Sequence, residues 1–254
     1  MSRLGMADLG LTTFTDMHTN AAMIASIDPS VPVIADADTG YGGPINVANT
    51  VRAYGRSGVA GLHIEDQIQE KRCGHLSGKQ LVSREVYYNR LRAACKARDE
   101  SGSGIVIIAR TDAAAGKDAE GNGGFDEAVE RLTKAADIGV DALFFEAIQS
   151  EDQCKEVIAR LPKIPVLLNM VDGGRTPIIS NDRANEIGFR IVIWPTIALE
   201  AVMAAVGKAF QTMKKTGKTP EEPKMGPAGL FEVCGLKELM AFDEAVGGKA
   251  YSNS

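Results

Sequence analysis

Six short runs of Val, Ile, Leu and Phe recur along the 254 residues: VPVIADAD (31–38), GVAGLHIED (58–66), GIVIIARTD (104–112), ALFFEAI (142–148), PVLLNMV (165–171) and FRIVIWP (189–195). They are too apolar to keep one face in water, which is the pattern of parallel strands covered on both sides. The stretches between them carry apolar residues at helical spacing, over 15–27, 45–56, 84–99, 125–138, 150–160, 181–187 and 196–214. In FDEAVERLTKAADIG the helical period is clear, and Gly139 ends it. Strand–helix repetition of this kind builds one parallel sheet from βα units.

Two architectures satisfy that pattern, an open doubly wound sheet and a barrel. A dinucleotide-binding sheet carries GxGxxG after an early strand. DADTGYGGP has glycines in that place at the wrong spacing and behind two Asp. The expectation is therefore an α/β protein with a (β/α)8 TIM-type barrel, for which ~250 residues is a usual length. Only six strands are countable, so the first two are expected to be missing. Residues 1–216 are expected to form this incomplete barrel. Residues 217–254 would form a Pro/Gly-rich linker, GKTPEEPKMGP, and one last amphipathic helix, GLFEVCGLKELMAFDEAVG, packed outside the barrel or on a partner.

The net charge of -5 offers no electrostatic footprint for nucleic acid. No apolar run approaches the ~18 residues of a membrane span, and MSRLGMADLG lacks the apolar core of a secretion signal. The four cysteines, Cys73, Cys95, Cys154 and Cys234, are scattered without metal spacing. They read as reduced thiols of a cytoplasmic protein, with a mitochondrial location left open.

In a barrel the chemistry gathers at the C-terminal ends of the strands. Here those ends carry Asp36 and Asp38, Glu65 and Asp66, Arg110 and Asp112, Glu146, Asn169, and Pro195. Alternation along a strand points Asp36 and Asp38 one way, and His63 with Glu65. Asp36, Asp38 and Glu65 would then converge. Such a cluster needs a cation; hard oxygen donors favour Mg²⁺ or Mn²⁺, held partly through water. The alternative is that the acids pair with Arg110 and nearby lysines. Arg110 suits a substrate carboxylate, since its planar fork matches two oxygens. It also suits a salt bridge to Glu146. Asn169 can hydrogen-bond a carboxylate, and His63 would support Glu65. Cys95, Cys154 and Trp194 read as packing residues.

The polar loop KRCGHLSGK (71–79) follows the Glu65 strand. It places Cys73 between cations and glycine, an environment that exposes a thiol. As a lid it would deliver Cys73 as an acid or base to bound substrate, with His75 touching substrate or facing water.

With these residues in hand, the chain resembles the isocitrate lyase/phosphoenolpyruvate mutase superfamily. The resemblance rests on VIADADTGYGG, GLHIEDQ, KRCGHL, IARTDA, FFEAI and LLNMV followed by GGRTP, and runs almost end to end. The most similar branch contains 2,3-dimethylmalate lyase and oxaloacetate hydrolase, with 2-methylisocitrate lyase nearby. The resemblance implies a Mg²⁺-dependent barrel whose last helix is exchanged between subunits, giving homodimers or homotetramers. By position, Asp36 would be the main metal ligand, with Asp8, Asp38 and Glu65 in the water shell. Cys73 would be the catalytic acid, and Gly74, His75, Arg110, Glu146 and Asn169 would contact the substrate. The implied reaction cleaves a C–C bond in a small 2-hydroxy carboxylate and releases a 2-oxo acid. In oxaloacetate hydrolases of the family a Ser stands where this chain has Pro195. Proline has no hydroxyl to offer, which favours a lyase. WPTIAL beside DGGRTP suggests an apolar wall suited to methylated malates. The family's first two strands and the loop after them have no counterpart here. A shortened non-catalytic homologue acting as an oligomer subunit is therefore a further expectation to be tested.

Overall fold

The structure, a computed structural model, describes residues 2–221 and 225–249. Six parallel strands form one curled sheet: β1 (Ile34–Asp36), β2 (Gly61–Glu65), β4 (Val106–Thr111), β6 (Ala142–Phe145), β7 (Val166–Asn169) and β8 (Ile191–Ile193), neighbours in that order. Two two-residue strands, β3 (Lys79–Gln80) and β5 (Gly116–Lys117), pair with each other in parallel beside it. The helices are α1 (Phe14–Ala25), α2 (Pro44–Arg56), α3 (Arg84–Ser101), α4 (Phe125–Ile138), α5 (Glu151–Arg160), α6 (Asn181–Ile187), α7 (Ile197–Thr216), α8 (Gly226–Val233) and α9 (Leu236–Ala245). This is the expected α/β architecture of barrel type; among the described residues the main sheet has six strands, with β1 and β8 each paired on one side only.

Alternation along the strands sorts the core into two layers. Leu62, Ile64, Ile107, Ala109, Leu143, Phe145 and Leu168 point outward and pack under the helices in a large apolar cluster. Ile108, Ala142, Phe144 and Leu167 point inward, with Ile191 and Ile193 against them. Full burial of one such side chain stabilises by about 1.5–3 kcal/mol. The inner plug fills the bottom of the curl and leaves the C-terminal strand ends to polar residues.

Local signals set the helix boundaries. Thr13 and Asp16 form a reciprocal capping box at α1. Ser83, Ser150 and Ser180 accept from backbone N–H groups at the starts of α3, α5 and α6. Gly139 ends α4 with φ +103°, a conformation that suits glycine.

Contacts divide the chain into two compact units, Met1–Leu199 and Glu200–Ser254. In the second, the single last helix expected from GLFEVCGLKELMAFDEAVG is two, α8 and α9. Gly235 adopts φ +82° between them, and the chain turns there. Part of the expected linker, residues 222–224, lies outside the described residues. No helix among the described residues is long and apolar enough to cross a membrane.

Candidate active site

Register brings the inward polar residues level with one another. Asp36 pairs with His63 across β1–β2, Glu65 with Arg110 across β2–β4, and Arg110 with Phe144 across β4–β6. Asn169 ends β7 on the same face. His63 and Glu65 share a face, as alternation requires. Asp36 and Asp38 do not lie on one strand as expected. β1 stops at Asp36, and Asp38 reaches the cluster from a turn with φ +45°. Its backbone N–H donates to Asp36 Oδ1 at 2.7 Å. Glu146 likewise follows its strand, next to Ala147 at φ +64°. Non-glycine residues in this region are uncommon and cluster where function fixes the backbone.

At the centre stands Lys71, which sequence reasoning did not single out. Its ammonium lies 2.8 Å from Asp38 Oδ1, 3.1 Å from Asp8 Oδ1 and 3.8 Å from Glu65 Oε1. Burial alone would lower its pKa. Glu65, Asp36 and Asp38 overcome that and raise it, so the side chain stays charged. Glu65 is fully buried, its carboxyl pushed well above the usual range by desolvation despite Arg110 and Lys71. Neither of its oxygens has a hydrogen-bond donor, although Arg110 Nη1 lies 3.2 Å away. His63 faces Asp36 at 3.5 Å, not Glu65, and packs edge-on against Phe144.

Among the described residues no three His, Cys, Asp or Glu side chains close into a metal cage. Mg²⁺ does not require one, since it keeps several waters and takes one or two carboxylates. Asp36 has a side chain one-third exposed, and no donor reaches its Oδ2 among the described residues. It lines a cavity of about 110 Å³ together with Asp8, Asp38 and Thr12. That space holds several waters at ~30 Å³ each. The donor set therefore fits a hard divalent ion on Asp36, with Asp8 and Asp38 facing its waters. Lys71 holds the Glu65 side of the cluster.

The other half of the site is built round Arg110. Asp112 grips its guanidinium with both oxygens, at 3.0 Å to Nε and 3.3 Å to Nη2. Glu146 Oε2 lies 3.8 Å from Nη2, and the Phe144 ring lies 5.1 Å beneath it. Burial would raise the Asp112 carboxyl, but Arg110 and Lys79 hold it down to about 2. Asn169 Nδ2 donates to Glu146 Oε2 at 3.1 Å, leaving its own buried Oδ1 without a donor. Behind Asp112, the wholly buried Asp66 accepts from the Asp112 N–H at 2.8 Å and from Arg131 at 3.2 Å.

The 71–78 loop lies over these groups. Gly74 packs so closely that a Cβ there would meet Glu146 and Arg110. The Arg175 N–H donates to His75 Nδ1 at 3.0 Å, so the neutral ring carries its proton on Nε2, 3.3 Å from Glu146 Oε1. Gln67 braces the start of the loop, accepting from the Arg72 N–H and donating to its carbonyl. Half-buried Cys73 donates its N–H to the Asp8 carbonyl at 3.2 Å. The loop thus touches both halves of the site.

The structure brings together Asp8, Asp36, Asp38, Glu65, Gly74, His75, Arg110, Glu146 and Asn169, with Cys73 bonded to Asp8. Pro195 lies just past the C-terminal end of β8, the strand paired with β7, and is exposed in the turn before α7. Cys95 and Cys154 are buried in the outer core, and Trp194 packs against it.

Comparison with known proteins gives the family and the fold. The profile of the family described as phosphoenolpyruvate phosphomutase matches residues 2–214. The chain belongs to the phosphoenolpyruvate mutase/isocitrate lyase superfamily. It is 38% identical over 218 residues to 2,3-dimethylmalate lyase of Eubacterium barkeri, covering 86% of this chain and 72% of that one. It is 37% identical over 244 residues to 2-methylisocitrate lyase of Halalkalibacterium halodurans, covering 95% and 77%. Among solved structures, a trigonal crystal form of 2,3-dimethylmalate lyase superposes with TM-score 0.94 at 50% identity, covering 100% of this chain and 82% of the other. Oxaloacetate acetylhydrolase with 3,3-difluorooxalacetate gives 0.92 at 45%, covering 98% and 82%. Phosphonopyruvate hydrolase in complex with oxalate and Mg²⁺ gives 0.76 at 26%, covering 92% and 79%.

Proposed function

We propose that the protein is a Mg²⁺-dependent carbon–carbon lyase acting on a 2-hydroxy dicarboxylate of the 2,3-dimethylmalate or 2-methylisocitrate type. The observation that carries this reading is the pairing of two halves under one loop. One half is a cavity where Asp8, Asp36 and Asp38 meet apolar residues of 4–17, and the other is a guanidinium held ready by Asp112. The relatives named as lyases support the reaction class.

The geometry supports the following roles. Arg110 receives a substrate carboxylate, its orientation fixed by Asp112 and Phe144. Glu146, Asn169 and His75 form a hydrogen-bonded wall beside it. The unpartnered Asn169 Oδ1 is available to a substrate polar atom, while the His75 Nε2–H faces Glu146 Oε1. Lys71, held charged by three acids, serves as a fixed positive charge and not as the base. Asp36 would hold Mg²⁺ directly, with Asp8, Asp38 and Glu65 around its waters; bound there, the ion supplies Lewis-acid stabilisation of the oxygens of the 2-oxo acid. In the reaction a base takes the C2 hydroxyl proton, the oxygen forms the C=O of the 2-oxo acid, and the C2–C3 bond breaks. The bonding pair goes to C3, where the adjoining carboxylate delocalises it. The Cys73 thiol then protonates that carbon and is left as thiolate.

Oxaloacetate hydrolysis is the second reading, favoured by the 45% identity to oxaloacetate acetylhydrolase. The exposed Pro195 brings no hydroxyl or N–H to the site and supports the lyase. Assembly into homo-oligomers through α7–α9 is supported by the exposed Met203, Phe210, Phe231 and Phe242. The test is a substrate panel. Purified protein with Mg²⁺ is given 2,3-dimethylmalate, 2-methylisocitrate or oxaloacetate, and 2-oxo acid and oxalate are quantified. Release of 2-oxo acid from either methylated substrate supports the lyase. Oxalate from oxaloacetate supports the hydrolase. No product from a folded sample marks a non-catalytic homologue.

A further inference from the structure

Lys79 is a buried cation that the reaction above does not use. Its side chain is fully enclosed. The backbone is pinned where β3 pairs with β5, Lys79 opposite Gly116. Two of the three donors of its ammonium are taken. One goes to the Gly74 carbonyl at 2.6 Å and the other to Asp112 Oδ1 at 2.7 Å. These partners belong to different machinery. Gly74 sits between Cys73 and His75 in the loop, whereas Asp112 is the carboxylate that grips Arg110. Asp112 is anchored from behind by Asp66, and Lys79 reaches it from the loop side.

We propose that Lys79 is a positioning residue that couples closure of the 71–78 loop to the set of Arg110. A buried ammonium is tolerated only with its partners in place. With the loop in, Gly74 O and Asp112 complete its shell. With the loop out, Gly74 O is withdrawn and the enclosed cation is left short of an acceptor. Lys79 therefore draws the loop, and Cys73 with it, toward the arginine that holds the substrate. The same contact keeps Asp112 squared to the guanidinium. The inference rests on the lyase reading for the roles of Cys73 and Arg110, and on the geometry for the coupling itself.

The alternative is that Lys79 only neutralises Asp112. That would lower thermal stability and weaken substrate binding without touching the loop. Lys79→Met separates the two. The readout is the rate at which iodoacetamide alkylates Cys73, followed by peptide mass spectrometry, with exposed Cys234 as the reactive reference and buried Cys95 and Cys154 as reporters of global opening. Loss of one charge-assisted hydrogen bond predicts an increase of about tenfold at Cys73, with the other three cysteines unchanged. In turnover assays kcat should fall by a similar factor, beyond any change in KM. An unchanged Cys73 rate in the folded variant overturns the coupling. Where Lys79→Met also unmasks Cys95 and Cys154, Lys79→Gln carries the test, since it keeps a donor for Gly74. It should give a smaller increase, and none would overturn the coupling. Alkylation needs no turnover. An inactive wild type would therefore sink the lyase reading while this measurement still decides the role of Lys79.

Discussion

Gly74 is where one added methyl group should do the most damage for the least change in fold. Its φ is not in the left-handed region, so alanine meets no backbone strain there. The obstacle is contact alone. A Cβ would lie 2.6 Å from Glu146 Cδ and Cγ and 2.7 Å from Arg110 Nη2. Ordinary contact begins at 3.4 Å, so something must yield by 3.4 minus 2.6, or 0.8 Å. Glu146 cannot swing aside readily. It is 1% exposed and held by the Ala147 N–H at 2.8 Å and Asn169 at 3.1 Å. Arg110 is clamped by Asp112 and stacked on Phe144. The loop yields instead, and it carries Cys73. Overpacking of this size costs about 1–3 kcal/mol, and a misplacement of ~1 Å at a reacting group can cost about 10²-fold. Gly74→Ala should therefore lower kcat/KM for 2-oxo acid release by about 10²-fold, with the thermal midpoint falling by about 2–4 °C for each kcal/mol of that cost. A variant within about threefold of wild type would show that the loop does not position the acid.

Three other outcomes follow from the same contacts. Arg131 is fully buried against Asp66, Asp118 and Glu127; Arg84 still holds Glu127 and Asn122 still holds Asp118, but Arg131→Met leaves the buried Asp66 without its cation and should destabilise by about 3 kcal/mol in denaturant titration. Burial, against the pull of Glu146, lowers the His75 pKa below its unfolded value. As pH falls through ~6.5 the unfolded chain takes the proton first. Wild type should lose more of its thermal midpoint between about pH 7 and 5.5 than His75→Gln does; equal losses would contradict the buried neutral ring. Burial pushes the Cys95 and Cys154 thiols up to about 11, so in the native protein at pH 8 mass spectrometry should find both unalkylated while Cys234 reacts.

The sheet was legible because its strands are covered on both faces and read as unbroken apolar runs, and because the polar residues that close them fall at one end. Contacts between distant segments left no such trace. Lys71 draws partners from residue 8, residue 38 and residue 65, and no spacing in the sequence announces that. Lys79 joins two loops in the same way. The alternation rule placed His63 and Glu65 correctly within β2. It failed for Asp36 and Asp38 because the strand ends between them and a left-handed turn takes over. The strands β3 and β5 are too short to carry a period. The last helical segment looked continuous because its apolar spacing runs through Gly235, where the backbone breaks it.

The most direct measurement compares wild type with Cys73→Ser, each with and without Mg²⁺, for 2-oxo acid release from 2,3-dimethylmalate and 2-methylisocitrate. Release by wild type only when the ion is supplied, and its loss in the serine variant under every condition, is the predicted result. Turnover by Cys73→Ser at the wild-type rate, or by wild type in excess chelator, would contradict the proposed chemistry.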